Sequence, residues 1–196
     1  MIDNLQLILP LIEFDSEDDF YYLQILQRKK ENDLLTSNSR VIKNYYIKST
    51  EYLVNRYDEI KSLCDNLNAR ACLRLNRRSF RKTAFKALVN MSNTLSNQEF
   101  EFCQKSYDRA VGNGHNDHRK LWILDVDDKT YNPTSLLQFI NEIEPDTGNK
   151  HIATIPSKSG YHIITTPFNV KKYKDAKFSF SDIEIHKDNP TNLYIP

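Results

Sequence analysis

LWILDVDDKTYN, residues 121–132, runs four apolar residues into Asp125, Asp127 and Asp128. The apolar run belongs in a core, and carboxylates are costly there unless a partner compensates them. Read as a strand, the stretch sends Asp125 and Asp127 to one face, with Val126 pointing into the core between them and Asp128 pointing away. Two carboxylates on one face repel unless a cation lies between them, and hard oxygen donors of this kind suit Mg²⁺ or Mn²⁺. A strand that simply reaches solvent has the same local pattern, so both readings stand at this point.

From this stretch onward the chain changes texture. Strands are expected at 119–126, 151–156, 161–166, 183–186 and 192–195. Asn132-Pro133 opens a helix to about 143, and a polar, Lys-rich connection covers 169–180. The order is β-α-β-β-(loop)-β-β.

Residues 1–118 have more helix. Residues 20–28 and 40–48 are aromatic and β-branched and predict two strands around a long polar loop, although 17–29 also fits a helix. Ser49 or Thr50 caps a helix with Leu53, Tyr57, Ile60, Leu63 and Leu67 on one face. A strand follows at 69–75. Ser79 then opens a helix with Phe80, Ala84, Ala87, Leu88 and Met91 on one side. Ser96 and Glu99 form a capping-box pattern before Phe100, Cys103, Tyr107 and Ala110, and 112–118 is a loop. No internal repeat is visible.

Composition narrows the function classes. The chain has 196 residues, 39% hydrophobic and 27% charged, with a net charge of +1. No apolar run reaches the roughly 20 residues of a membrane span. The N-terminus carries an acid where a signal peptide has a basic start, which predicts a cytoplasmic protein without membrane partners. Cys64, Cys72 and Cys103 lack C-x-x-C spacing and read as free thiols, so no zinc is expected. Charge is segregated. No acid lies between Asp65 and Glu99, where Arg70, Arg74, Arg77, Arg78, Arg81, Lys82 and Lys86 fall. Such a patch can engage phosphates, or be a solvated helix face balanced by neighbours.

Two later motifs carry further chemistry. In IPSKSGYHIITTPF, 155–168, Ser157, Lys158, Ser159, Gly160 and His162 form a small, basic turn between apolar strands. Small residues admit backbone N–H groups to a phosphate, and Lys158 and His162 can neutralise charge; a plain β-hairpin turn is the simpler alternative. In SDIEIHKDNPTNLYIP, 181–196, Ile183 and Ile185 alternate with Glu184 and His186. Asp182 shares the polar face, and an edge strand is the simpler alternative.

Taken in order, Asp125-Val126-Asp127, Gly160-Tyr161-His162 and Ile183-Glu184 resemble the three motifs of the archaeo-eukaryotic primase, or primase-polymerase, superfamily: an acid pair, a small-x-His turn and an apolar-acid step. The resemblance rests on 119–196, and 1–118 corresponds only by position. It implies an α+β fold, with an RRM-like β-α-β-β-β catalytic half (119–196) packed on an N-terminal αβ module (1–118) in one compact domain. It implies a template-dependent nucleotidyltransferase that adds nucleotides to a 3′-hydroxyl on DNA in replication priming. Asp125, Asp127 and Glu184 would hold two Mg²⁺ or Mn²⁺ ions, with Asp182 and Asp188 as rivals for the third ligand. Ser157, Lys158, Ser159, Gly160 and His162, joined by His186 and Lys187, would contact the nucleoside triphosphate. Arg74, Arg77, Arg78 and Lys82 would hold single-stranded or primed template. A separate or fused helicase is the expected partner, and a phage or mobile element the expected origin.

Two other readings compete. The run into DVDDKT is similar to the nucleophile strand of haloacid-dehalogenase-type phosphatases, but Lys129 stands where that pattern has Thr or Val. An RRM-like sheet with a basic helix can also bind single strands without catalysis. Against that, carboxylates facing a phosphate backbone repel it unless metal intervenes.

Overall fold

The computed structural model describes residues 1–114, 119–146, 148–175 and 183–196. In chain order the elements are β1 (Ile2–Asp3), α1 (Leu5–Ile8), β2 (Asp19–Arg28), β3 (Ser39–Ile47), α2 (Thr50–Leu67), β4 (Arg70–Arg74), β5 (Arg78–Ser79), α3 (Phe80–Ser96) and α4 (Ser106–Gly112). They continue with β6 (Trp122–Val126), α5 (Thr134–Glu142), β7 (His151–Pro156), β8 (Tyr161–Thr165), α6 (Val170–Asp175), β9 (Glu184–His186) and β10 (Pro190–Ile195). The fold is mixed α+β with two antiparallel sheets. One has the order β1-β10-β4-β2-β3, with β5 also paired to β2; the other has the order β7-β8-β6-β9.

Local chemistry explains the long helices. Ser49 caps α2 by accepting a hydrogen bond from the Tyr52 N–H, and the helix buries Leu53, Tyr57, Ile60 and Cys64. Asn68 ends it in the left-handed region, φ 45°, a conformation asparagine tolerates. Ser79 caps α3 by accepting from the Lys82 N–H.

The apolar side of α3 departs from expectation. Phe85, Leu88, Val89 and Met91 are exposed, while Thr83 and Thr94 are buried. Among the described residues, α3 packs chiefly on α4 and on a 3₁₀ turn at Phe100–Lys105, and meets β5 at its start. The turn and α4 meet its Thr83–Asn90–Thr94 side, and Asn90 donates to the Ser106 carbonyl. The helix expected after Glu99 starts only at Ser106, because Ser96 is the last residue of α3 and no side chain caps Glu99.

Two differences lie in the C-terminal part. The connection at 169–180 contains α6, while residues 176–180 lie outside the described residues. The last strand, β10, leaves its sequence neighbours and inserts between β1 and β4 in the first sheet.

Both sheets share a core. The largest buried cluster runs from α2 through Leu23, Ile25, Ala71 and Leu73 into Leu121, Ile123, Ile155 and Ile164. Side chains alternate on β6, so Trp122, Leu124 and Val126 pack instead with Leu136 and Ile140 of α5. Polar cross-links reinforce the contact. The Asn4 amide donates to the carbonyls of Pro156 and Asn192, and Asn76 bonds both the carbonyl and the N–H of Leu121. No helix among the described residues is long and apolar enough to cross a membrane.

A cleft between the two sheets as the candidate active site

Strand register brings the sequence motifs together. Asp125 pairs with His162 of β8 on one side and with Glu184 of β9 on the other, and His162 pairs in turn with Ile155 of β7. Residues paired across strands share a face. Asp125, His162 and Glu184 therefore form one row, separated in the chain but adjacent in the sheet. His186 joins the same face opposite Ile123. This face turns toward the first sheet and opens into a cleft of about 780 Å³. The cleft is lined by Asp125, Asp127, His162, Glu184 and His186 from one side and by Arg28, Arg70, Cys72 and Asn192 from the other.

The row is held by specific contacts. His162 Nδ1 shares a hydrogen bond with Thr191 Oγ1 at 2.8 Å, which aims Nε2 at Asp125 Oδ1, 3.4 Å away. The His162 contact, with His186 adding its charge, holds the Asp125 carboxyl below the usual aspartate range despite partial burial. His186 Nε2 stands 3.4 Å from Glu184 Oε2 and 3.9 Å from Asp125 Oδ2. Asp127 is exposed at the strand end. Asp128 turns away and accepts from the Thr130 N–H and hydroxyl.

The turn 157–160 divides its duties. Ser157 accepts from the Gly160 N–H through its hydroxyl, and its own N–H donates to the Gly160 carbonyl. A Cβ on Gly160 would lie 1.9 Å from the Val126 carbonyl oxygen, so only glycine lets the turn approach β6 this closely. Gly160 thus acts through packing and is absent from the cleft lining, whereas Ser157, Lys158 and Ser159 line it. Lys187 also lies elsewhere, with its ammonium 5.2 Å from the Trp122 ring centroid.

Three of the four basic residues expected to hold template are engaged in ion pairs within the fold. Arg78 is wholly buried and donates to the carbonyls of Val111 and Asn76 and to Asp188. Arg74 pairs with Asp188 as well, and Arg77 with Asp15 and Asp19. Lys82 is exposed on α3, away from the cleft lining. Asp188, a rival third ligand, is thereby committed to two guanidinium groups, and Asp182 lies outside the described residues.

A second set of cations faces the row instead. Arg28, Lys30, Arg70 and Lys158 line the cleft together with Glu31. Glu31 pairs with Arg70 and Lys158, and these contacts, the Arg70 hydrogen bond foremost, pull its carboxyl down to about 2. Of this set the sequence singles out Lys158 as a phosphate contact and Arg70 as part of the basic run, but not Arg28 or Lys30. The signal for the set was the charge run Arg28-Lys29-Lys30-Glu31 at a strand end and the alternation of Arg70 with Cys72 and Arg74.

Among the described residues, no group of three or more His, Cys, Asp or Glu side chains is arranged as a ready metal cage. The carboxylates of Asp125, Asp127 and Glu184 nonetheless fit Mg²⁺ or Mn²⁺ in kind, because such ions take one or two carboxylates and complete their shell with water and substrate phosphates. Cys64 and Cys72 are buried free thiols, and burial raises Cys72 to about 11. Comparison with protein-family models, curated proteins and solved structures finds no match to this chain.

Proposed function

We propose that the cleft is the active site of a primase-polymerase-type nucleotidyltransferase, which adds nucleotides to a 3′-hydroxyl on a DNA template. The observation that carries this reading is the row Glu184–Asp125–His162, one residue from each of three motifs, on the face that lines the cleft. The strand order β7-β8-β6-β9 with the connection β-α-β-β-α-β supports it, being the split βαβ arrangement expected of an RRM-like half.

In this reading Asp125, Asp127 and Glu184 would hold the divalent ions. Bound there, Mg²⁺ or Mn²⁺ supplies charge neutralisation on the transferring phosphoryl group and its leaving group. The protein contributes position. Asp125 is kept ionised by His162, and His162 is kept in orientation by Thr191, so neither reorganises when substrate enters. Ser159 and Lys158 at the lip supply polar and cationic contacts to the triphosphate.

Extension of a primed template with Mg²⁺ or Mn²⁺ tests the assignment. Asp125→Asn and Asp127→Asn should each cut incorporation by roughly 100-fold or more, the size of effect seen when a preorganised electrostatic group is removed. The melting curves should stay near wild type. Extension by the double variant at the wild-type rate would overturn the catalytic role. If wild type binds single strands yet incorporates nothing, a non-catalytic binding function replaces it.

A further inference from the structure

Glu31 sits in an unusual place for a carboxylate. It belongs to the 3₁₀ turn Lys29–Glu31 that follows β2, and it reaches across the cleft mouth. Arg70 grips it from the first sheet as a two-pronged fork, with Arg70 Nε 2.7 Å from Oε2 and Arg70 Nη2 on Oε1. Lys158, from the turn between β7 and β8 in the second sheet, donates to the same Oε1 at 2.5 Å. Arg28 and Lys30 line the same wall, and among the described residues neither makes an ion pair. Two cations therefore grip one monoanion, and two more line the same cleft.

A guanidinium fork with an ammonium beside it is the geometry that also receives a phosphate. We propose that Arg70 and Lys158, flanked by Arg28 and Lys30, form the phosphate subsite of the cleft, and that Glu31 is a built-in stand-in which an incoming polyphosphate displaces. The proposal rests on the nucleotide-site reading of the cleft and adds to Lys158 three further phosphate-binding residues, Arg70, Arg28 and Lys30, and a latch.

Displacement is sterically simple. The Asn68 side chain donates to the Glu31 carbonyl at 2.9 Å, so the backbone is pinned and only the carboxylate must rotate away. Lys158 is exposed over more than half its side chain and can follow an anion, whereas Arg70 is buried and fixed. A polyphosphate brings several charges where Glu31 brings one, and it reaches Arg28 and Lys30 as well. The latch also links the sheets, because its two cations come from different sheets.

The test is titration of the full chain with inorganic tripolyphosphate and, separately, with a nucleoside triphosphate. If the latch is closed in more than about nine molecules in ten, releasing it tightens apparent binding roughly tenfold or more. Both Glu31→Gln and Glu31→Asp should show this, since Asp keeps the charge but is too short to serve both cations. Lys158→Ala, an exposed change that keeps the fold, should weaken binding. Tightening in Glu31→Gln but not in Glu31→Asp would reduce the effect to net charge and overturn the latch. Unchanged affinity in Lys158→Ala would overturn the subsite. Primer extension by wild type separates this from the reading beneath it. Extension without tightening removes the latch alone, and tightening without extension keeps an anion subsite and removes the polymerase.

Discussion

Gly160 shows how one missing side chain sets the site. Its backbone lies against the Val126 carbonyl and the Asp128 N–H, so a methyl group there meets two backbone atoms that cannot yield separately. Gly160→Ala should lower stability by about 3 kcal/mol in urea unfolding, the upper end of ordinary overpacking costs. Asp188 presents the opposite problem. Asp188→Asn leaves the wholly buried Arg78 without its carboxylate and should cost about 3 kcal/mol, as when one partner of a buried pair is removed. A metal ligand at the cleft would instead be dispensable for stability, so the melting midpoint distinguishes the two roles. Glu31 adds a pH signature. Its carboxyl is depressed from 4.5 to about 2 on folding, so its contribution is complete above the unfolded value and is lost as pH falls through the folded one. Wild type should exceed Glu31→Gln in stability at neutral pH, with the gap closing between about pH 4.5 and 2 in acid titrations followed by circular dichroism.

At the level of elements, α2 and α3 make a contrast that melting can measure. Ile60→Ala in α2 should cost about 2–5 kcal/mol, whereas Leu88→Gln in α3 should fall within about 0.5 kcal/mol of wild type. Both helices show an apolar stripe in the sequence. Amphipathicity tells which side of a helix is apolar, but not whether another element arrives to cover it, and α3 receives its neighbours on its threonine side. The strands were more legible, because alternation sets Trp122, Leu124 and Val126 of β6 apart from the acids, and Ile183 and Ile185 apart from Glu184 and His186, without reference to distant contacts. That alternation placed Asp125, Asp127, Glu184 and His186 on the face they occupy. The Arg74–Asp188 and Glu31–Lys158 pairs had no such local signal, since their partners stand 114 and 127 residues apart. A local charge run does not reveal which of its members will be neutralised by a remote acid.

For the molecule as a whole, the path of β10 decides how separable its parts are. Division at 118/119 follows the change in texture along the chain, but β10 lies between β1 and β4 and buries Leu193, Tyr194 and Ile195 there. A fragment of residues 1–118 therefore lacks an interior strand of its sheet and should unfold without a cooperative transition, while the 1–196 chain should show one. Ile2 is the register partner of Ile195, which sets the two within roughly 5 Å. During synthesis, β10 emerges after every other strand of the first sheet, and the wall bearing Arg70 cannot be completed before it. In a 1–196 polypeptide, joining residue 196 to residue 1 by a short bridge and opening the chain near Gln98 would turn that distant closure into a neighbouring hairpin. Such a rearranged chain should fold faster than the natural order, because contacts near in sequence form sooner than distant ones.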